Sequence, residues 1–149
     1  MPPFCNDLRI SAPACAPAVV AACCSCVSPL LAATVGGIVV GTGNKVEDYG
    51  VGFYTKYGDG GVDIAPIADL YKTEVWELGK FFGIDERIIS AKPTDGLWDD
   101  GRTDEDQLGA SYEDLEYAME HGTGPAVRIL HDFNTKNKHK MIPIPTFTV

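Results

Sequence analysis

Gly37-Ile38-Val39-Val40-Gly41-Thr42-Gly43-Asn44-Lys45 is the stretch on which the fold turns. Three β-branched residues between glycines make a short buried strand, because branching at Cβ suits a pleated surface and the glycines end the run on both sides. Polar residues follow at once, so the strand empties into a loop. In open α/β sheets such strand ends face a crevice where backbone donors meet ligands. Taken alone, the loop reads equally well as a plain turn.

Beyond the loop, Tyr57-Gly58-Asp59-Gly60-Gly61 is turn chemistry, since Asp-Gly and Gly-Gly reach positive φ at low cost, and Val62 to Ile67 reads as a short extended segment. Leu70, Val75, Leu78 and Phe82 then recur at near-helical spacing. They predict an amphipathic helix with Asp69 as N-cap and Gly83 as its stop. A shorter helix starts at Asp85, carries Ile88 and Ile89, and ends before Pro93. Ser111-Tyr112-Glu113-Asp114 is a loose capping box for a helix ending near His121-Gly122. A last helix from Pro125 would bury Val127, Leu130 and Phe133. Strands alternating with helices give an α/β class.

The totals bound the function. With 149 residues and 45% hydrophobic content, the chain has material for one core. A net charge of -9 argues against a nucleic-acid partner, which would need a basic surface. No Asp, Glu, Lys or Arg occurs between Arg9 and Lys45, so residues 1–36 stand apart as an Ala/Cys/Pro/Val-rich leader and residues 37–149 as the charged, folded part. All five cysteines lie in that leader, an odd and clustered set that makes a poor disulfide framework. Cys23 and Cys26 form a C-x-x-C pair, yet no second pair completes a zinc site. Residues 10–41 are apolar enough in length to cross a bilayer, which takes roughly 20 residues. Pro13, Pro17 and Pro29 interrupt a helix there, and the flanks lack a basic start, so an anchor or secretory signal is disfavoured and a cytoplasmic location expected.

Several polar residues are placed to do chemistry. Glu47 follows Thr42 by five residues, so a hydroxyl and a carboxylate can approach one phosphate-bound cation. Lys56, Asp59, Asp63 and Lys72 put two cations and two carboxylates around the glycine turn, a set suited to a charged phosphoester. Such charges also commonly form a solvated surface, and on pattern alone that reading is favoured. His139 and Lys140 close a basic tail with Lys136 and Lys138, while His121 and His131 carry no partner signal.

The strings VVGTGNKVED, FYTKYGDGGVDIAPIADLYKTEV, KPTDGLW, TDEDQLGASYEDLE and NKHK occur in one order over residues 38–145. Individually they are modest; in this order and spacing they are specific, and this part of the chain resembles the carboxyl-terminal portion of the NAD synthetases. The resemblance implies a truncated Rossmann-like sheet of the adenine nucleotide α-hydrolase type, normally a homodimer. It implies ATP-dependent amidation of deamido-NAD to NAD, and the GLW and LGASYEDLE strings look like the ammonia-using branch. By position, Thr42, Lys72 and Thr94 match contacts to ATP, and Glu47 matches a magnesium ligand. Lys56, Asp63, His139 and Lys140 match contacts to deamido-NAD, and the role of Asp59 stays open.

The sequence departs from that pattern. The SGGxDS loop that holds ATP pyrophosphate in the family does not occur in these 149 residues, and its backbone donors would be missed by the leaving group. Arg102 stands where glutamine is usual before TDE, and Met141 where arginine is usual after HK. The missing loop argues against turnover by this chain alone, and the competing expectation is a non-catalytic fragment or a dimerisation partner of an intact synthetase.

Overall fold

The structure, a computed structural model, describes residues 19–21, 27–97 and 99–148. The cysteines, Cys23 and Cys26 included, lie outside them. Strand β1 (Val19–Ala21) runs parallel to β2 (Ile38–Val40), with Val19 opposite Ile38 and Ala21 opposite Val40. Parallel neighbours need a long crossover, and here it is helix α1 (Val27–Val35). Pro29 does not break α1. It stands in the first turn, where a backbone N–H has no intrahelical acceptor and none is lost. The helix turns Ser28 and Ala32 inward and leaves Val27 and Leu30 exposed.

The expected strand at residues 37–41 is therefore present and parallel, but only Val39 of its three residues is buried. The extended segment expected over residues 62–67 is reduced to one parallel bridge, Val40 with Ile64. Gly41 N–H donates to the Ile64 carbonyl at 2.7 Å and Asp63 N–H to the Val39 carbonyl at 2.9 Å. The chain then coils through turns, with Ala68 N–H on Ala65 and Leu70 N–H on Ile67. Pro66, which has no N–H to give a ladder, helps stop the strand. Among the described residues the fold is mostly helical with little sheet.

A π-helical segment, Lys45–Val51, follows the β2 loop where the sequence suggested only loop. Asn44, buried, caps it by accepting from Val46 N–H and Glu47 N–H, each at 3.0 Å. Gly52 ends it at φ 63°. Helix α2 (Lys72–Phe81) begins later than expected. Asp69 is not its N-cap but pairs with Lys45 at 3.1 Å, while the Leu70 carbonyl accepts from Lys45 N–H, and these contacts hold residues 69–70 outside the helix. Tyr71 takes the cap position, and Glu74 turns back to its N–H at 2.7 Å. Phe82, read as part of the apolar face, is 69% exposed just beyond the helix, and Gly83 follows at φ 68°.

Helices α3 (Glu86–Ile89), α4 (Asp104–Leu108), α5 (Tyr112–His121) and α6 (Val127–Met141) complete the chain. Asp85 and Ser111 cap α3 and α5 as their sequence positions indicated. The core forms where α5 and α6 close over the π-helical segment: Val46, Val51, Leu108, Tyr112, Leu115, Ala118 and Ala126 are buried together. Val127, Leu130 and Phe133 pack against this cluster from α6.

Gly52 and Gly83 separate two costs. Both have positive φ, which costs a side chain about 1–3 kcal/mol. A methyl group on Gly52 would also stand 2.6 Å from Asn137 Cβ, whereas Gly83 faces open space. Gly52→Ala is expected to lower the urea midpoint well beyond Gly83→Ala. Equal shifts would mean that α6 moves away from the π-helical segment at little cost.

Candidate functional site

Two helices start at one carboxylate, and a third starts beside it. Lys72, Asp104 and Tyr112 are the first residues of α2, α4 and α5; Lys72 and Tyr112 bond Glu47 of the π-helical segment, and Asp104 joins them through Tyr112. Lys72 Nζ lies 2.9 Å from Glu47 Oε1, and the Tyr112 hydroxyl donates to the same oxygen at 2.8 Å. That hydroxyl also stands 3.2 Å from Asp104 Oδ2, so one phenol bridges two carboxylates. Lys72 Nζ sits 5.1 Å from the centre of the Tyr112 ring, and Trp76 meets that ring edge-on at 6.1 Å.

Local chemistry fixes each participant. The Asn44 cap orients the first turn that carries Glu47. Glu116, buried on α5, accepts from Thr73 N–H at 3.1 Å and from its hydroxyl at 2.7 Å, which ties the start of α2 to α5 next to Lys72. Thr103 caps α4 in a reciprocal box with Asp106, and Asp104 N–H donates to the Pro93 carbonyl at 2.9 Å.

Two carboxylates and one ammonium leave the cluster short of positive charge. Asp104 is 7% exposed, and burial together with the nearby Glu47 carboxylate pushes its pKa up, against the Tyr112 hydrogen bond and Lys72. Burial and the same carboxylates push the Tyr112 phenol upward, so it stays a donor. Asp48, beside Glu47, is raised to about 6 by burial, then by Glu47 and Asp59. Its carboxylate packs onto Gly43, where a Cβ would fall 2.2 Å from Oδ1; the glycine in the loop is needed for that approach.

The remaining expected residues fall into other groups. At the end of α6, Lys140 Nζ donates to the Gly52 and Tyr54 carbonyls at 2.9 and 2.7 Å, and Lys56 Nζ donates to the His139 carbonyl at 2.6 Å. Lys56, His139 and Lys140 are thus brought together. Burial lowers the Lys140 pKa while Asp59 raises it. Asp63 instead accepts from Val39 N–H at 2.7 Å, and Asp59 from Thr55 N–H at 2.8 Å, so the four charges read around the glycine turn do not form one set. Thr94 closes its own loop through the Arg102 carbonyl at 3.1 Å and Gly96 N–H at 3.2 Å. Thr42 is exposed at the β2 loop and makes no hydrogen bond among the described residues.

Asp104, Tyr112 and Glu116 escaped the sequence reading. All three stand in the TDEDQLGASYEDLE string, but Tyr112 is 65 positions from Glu47, and nothing in local pattern reports such a pairing. A buried tyrosine opening a helix was the available signal, since its hydroxyl needs a partner.

A profile of the family described as NAD synthase matches residues 22–141. The chain belongs to the NAD synthase family. An NH(3)-dependent NAD(+) synthetase of Carboxydothermus hydrogenoformans is 43% identical over 111 residues, covering 73% of this chain and 45% of that protein. Among solved structures, an NMN synthetase from Francisella tularensis superposes with TM-score 0.72 and 33% identity, over 83% of this chain and 52% of that one. An NH3-dependent NAD synthetase from Campylobacter jejuni shares the fold at TM-score 0.59 and 24% identity, over 82% of this chain and 50% of that one. The chain spans about half the length of these relatives. The profile match takes in α1 as well as the charged region.

A hard cation asks for oxygen donors at the cluster around Glu47. No group of three or more His, Cys, Asp or Glu is gathered among the described residues. Magnesium, however, commonly takes one or two carboxylates and completes its shell with water and phosphate. Glu47 and Asp104, bridged by a phenol and with Asp104 Oδ1 buried and unpartnered among the described residues, fit that requirement. No described helix is long and apolar enough to cross a membrane.

Two outcomes follow from the cluster. Tyr112→Phe keeps the ring and removes the shared hydroxyl, so it should cost about 1–3 kcal/mol in urea denaturation; no loss would show that the bridge is replaced by water. Asp48 supplies the pH dependence. Its raised pKa means that stability present below the ordinary value of 3.8 is lost as pH rises through about 6. In magnesium-free buffer, Asp48→Asn should therefore gain Tm over the native protein at pH 7.5 and not at pH 4. A gap independent of pH would assign the effect to another group.

Proposed function

We propose that this chain supplies the nucleotide- and cation-binding side of an ammonia-dependent NAD synthetase, which amidates deamido-NAD to NAD with ATP. The observation that carries the reading is the meeting of Lys72 with Glu47, two residues 25 positions apart that the family resemblance assigns to ATP and to magnesium. In the reaction, a nicotinate carboxylate oxygen attacks the α-phosphorus of ATP, the bond to pyrophosphate breaks, and an acyl adenylate remains. Ammonia attacks the acyl carbon, the bond to AMP breaks, and the added nitrogen gives up a proton. Adenylation makes a good leaving group of a poor one.

In this reading Lys72 serves ATP phosphates as a point charge, and the Thr42 and Thr94 hydroxyls add short donors. Glu47 would hold magnesium, with Asp104 nearby; the ion, when bound, offsets charge between carboxylate and phosphate. Lys56, Asp63, His139 and Lys140 would contact deamido-NAD. Lys56 and Lys140 now satisfy backbone carbonyls, so substrate would have to exchange with those bonds. A homodimer and a cytoplasmic location belong to the same proposal.

A second reading makes the chain a non-catalytic fragment or a dimerisation partner of an intact synthetase. It is favoured by the exposed apolar side of α1, with Val27 at 60% and Leu30 at 67%, a surface suited to cover by more protein. The two readings separate in one assay: NAD formation by the purified chain from deamido-NAD, ATP, magnesium and ammonia, with AMP followed in parallel. The first predicts equal NAD and AMP, both falling at least about a hundredfold in Glu47→Ala if the loss resembles that of an electrostatic stabiliser. A folded sample that makes no NAD would leave the second reading standing.

A further inference from the structure

Within the cluster at Glu47, one atom is unexplained. Asp104 Oδ1 is buried and has no hydrogen-bond partner among the described residues, although its sister Oδ2 meets the Tyr112 hydroxyl. A buried polar atom without a partner is costly, and burying an uncompensated carboxylate is costlier. An apolar residue would fill this position more stably if packing were its only task. The carboxylate is nonetheless fixed there: it begins α4, its own N–H is held by the Pro93 carbonyl, and Thr103 caps the helix in front of it.

Charge gives the second argument. Glu47 and Asp104 carry two negative charges, and Lys72 is the cation bonded within the cluster, on Glu47. Both Lys72 and Glu47 side chains keep about a fifth of their surface exposed, at 19% and 18%, so the cluster opens to solvent on that side. Lys72 reaches Glu47 on a flexible four-carbon stem and can give way to an incoming ion.

We infer that Asp104 is a second protein ligand, with Glu47, for one divalent cation, and that its unpartnered oxygen is the donor. The inference rests on the reading of Glu47 as a cation ligand and adds a residue to it. Two carboxylates supply hard oxygen donors, and water and phosphate oxygens complete the shell. Lys72, displaced from Glu47, becomes available to phosphate. The Tyr112 hydroxyl bridges the two carboxylates in the cation-free state, and the ion takes over that bridge when it binds.

The test is Mn2+ alone, titrated into the 149-residue chain by calorimetry, with free Mn2+ read by electron paramagnetic resonance and the Tm measured at each ratio. The native chain should bind one ion and gain Tm. Asp104→Asn and Glu47→Gln should each weaken binding by about tenfold or more. Asp104→Asn without metal should be at least as stable as the native chain, because it removes a buried charge, so its weaker binding will not be a folding defect. Tyr112→Phe should keep the affinity, since it removes the bridging hydroxyl and neither ligand. If Asp104→Asn binds like the native chain while Glu47→Gln does not, the inference fails and the Glu47 reading survives. If Tyr112→Phe loses as much as Asp104→Asn, Asp104 acts only through the phenol and the inference is again overturned. Native affinity in Glu47→Gln, or no binding by a folded native chain, removes the Glu47 reading and this inference with it.

Discussion

The half-buried carboxylate of Glu47 is the constraint around which this chain is arranged. Withdrawn from water, it needs donors, and the fold answers by bringing the first residues of α2 and α5 to a single oxygen. That demand sets where α2 starts, because Lys72 must stand at its first turn and Thr73 must reach Glu116. It also keeps Tyr112 upright in the core, where its ring packs with Val46 and Leu115 while its hydroxyl points at charge. Apolar burial and polar satisfaction are thus served by one side chain.

The π-helical segment is what makes this possible. Asn44 satisfies the N–H groups of Val46 and Glu47, Gly52 turns the chain out of the segment, and between them Glu47 meets Lys72 and Tyr112, Asp48 packs onto Gly43, and Val46 and Val51 enter the core. Wider helical turns of this kind recur where a side chain must be aimed for function. The same segment receives α6, whose Asn134 and Asn137 donate to the Gly50 and Val51 carbonyls at 3.0 and 2.8 Å, and whose Lys140 holds the carbonyls that follow. Two groups of candidate site residues are therefore tied to this stretch of chain, one at Glu47 and one, at the end of α6, through the residues that follow the segment.

Exposed large apolar side chains occur on α1, around the end of α2, where Phe81 is 82% exposed and Ile88 on α3 67%, and in the tail after α6, at Ile144 and Phe147. The core of this chain lies elsewhere, under α5 and α6. A chain half as long as its relatives keeps its best-packed part in the region that carries the family strings from VVGTGNKVED onward.

Local pattern alone determined the β2 strand, the Asp85 and Ser111 caps, the glycine stop at Gly83 and the inward face of α6, because each is governed by residues within a turn or two. It also carried the family, since the order of five short strings is a property of the chain and not of its packing. The helix α2 expected from Asp69 starts later because contacts distant in sequence fix its first turn: the Leu70 carbonyl accepts from Lys45 N–H, and Lys72 and Thr73 are held by Glu47 and Glu116. The extent of the sheet was overestimated because a β-branched run shows that a strand can form but not how many neighbours pair with it. Above all, tertiary structure decided that Asp104 and Tyr112 belong beside Glu47. Their meeting depends on how α4 and α5 dock, and the buried oxygen of Asp104 exists as a feature only once the rest of the core has excluded water from it.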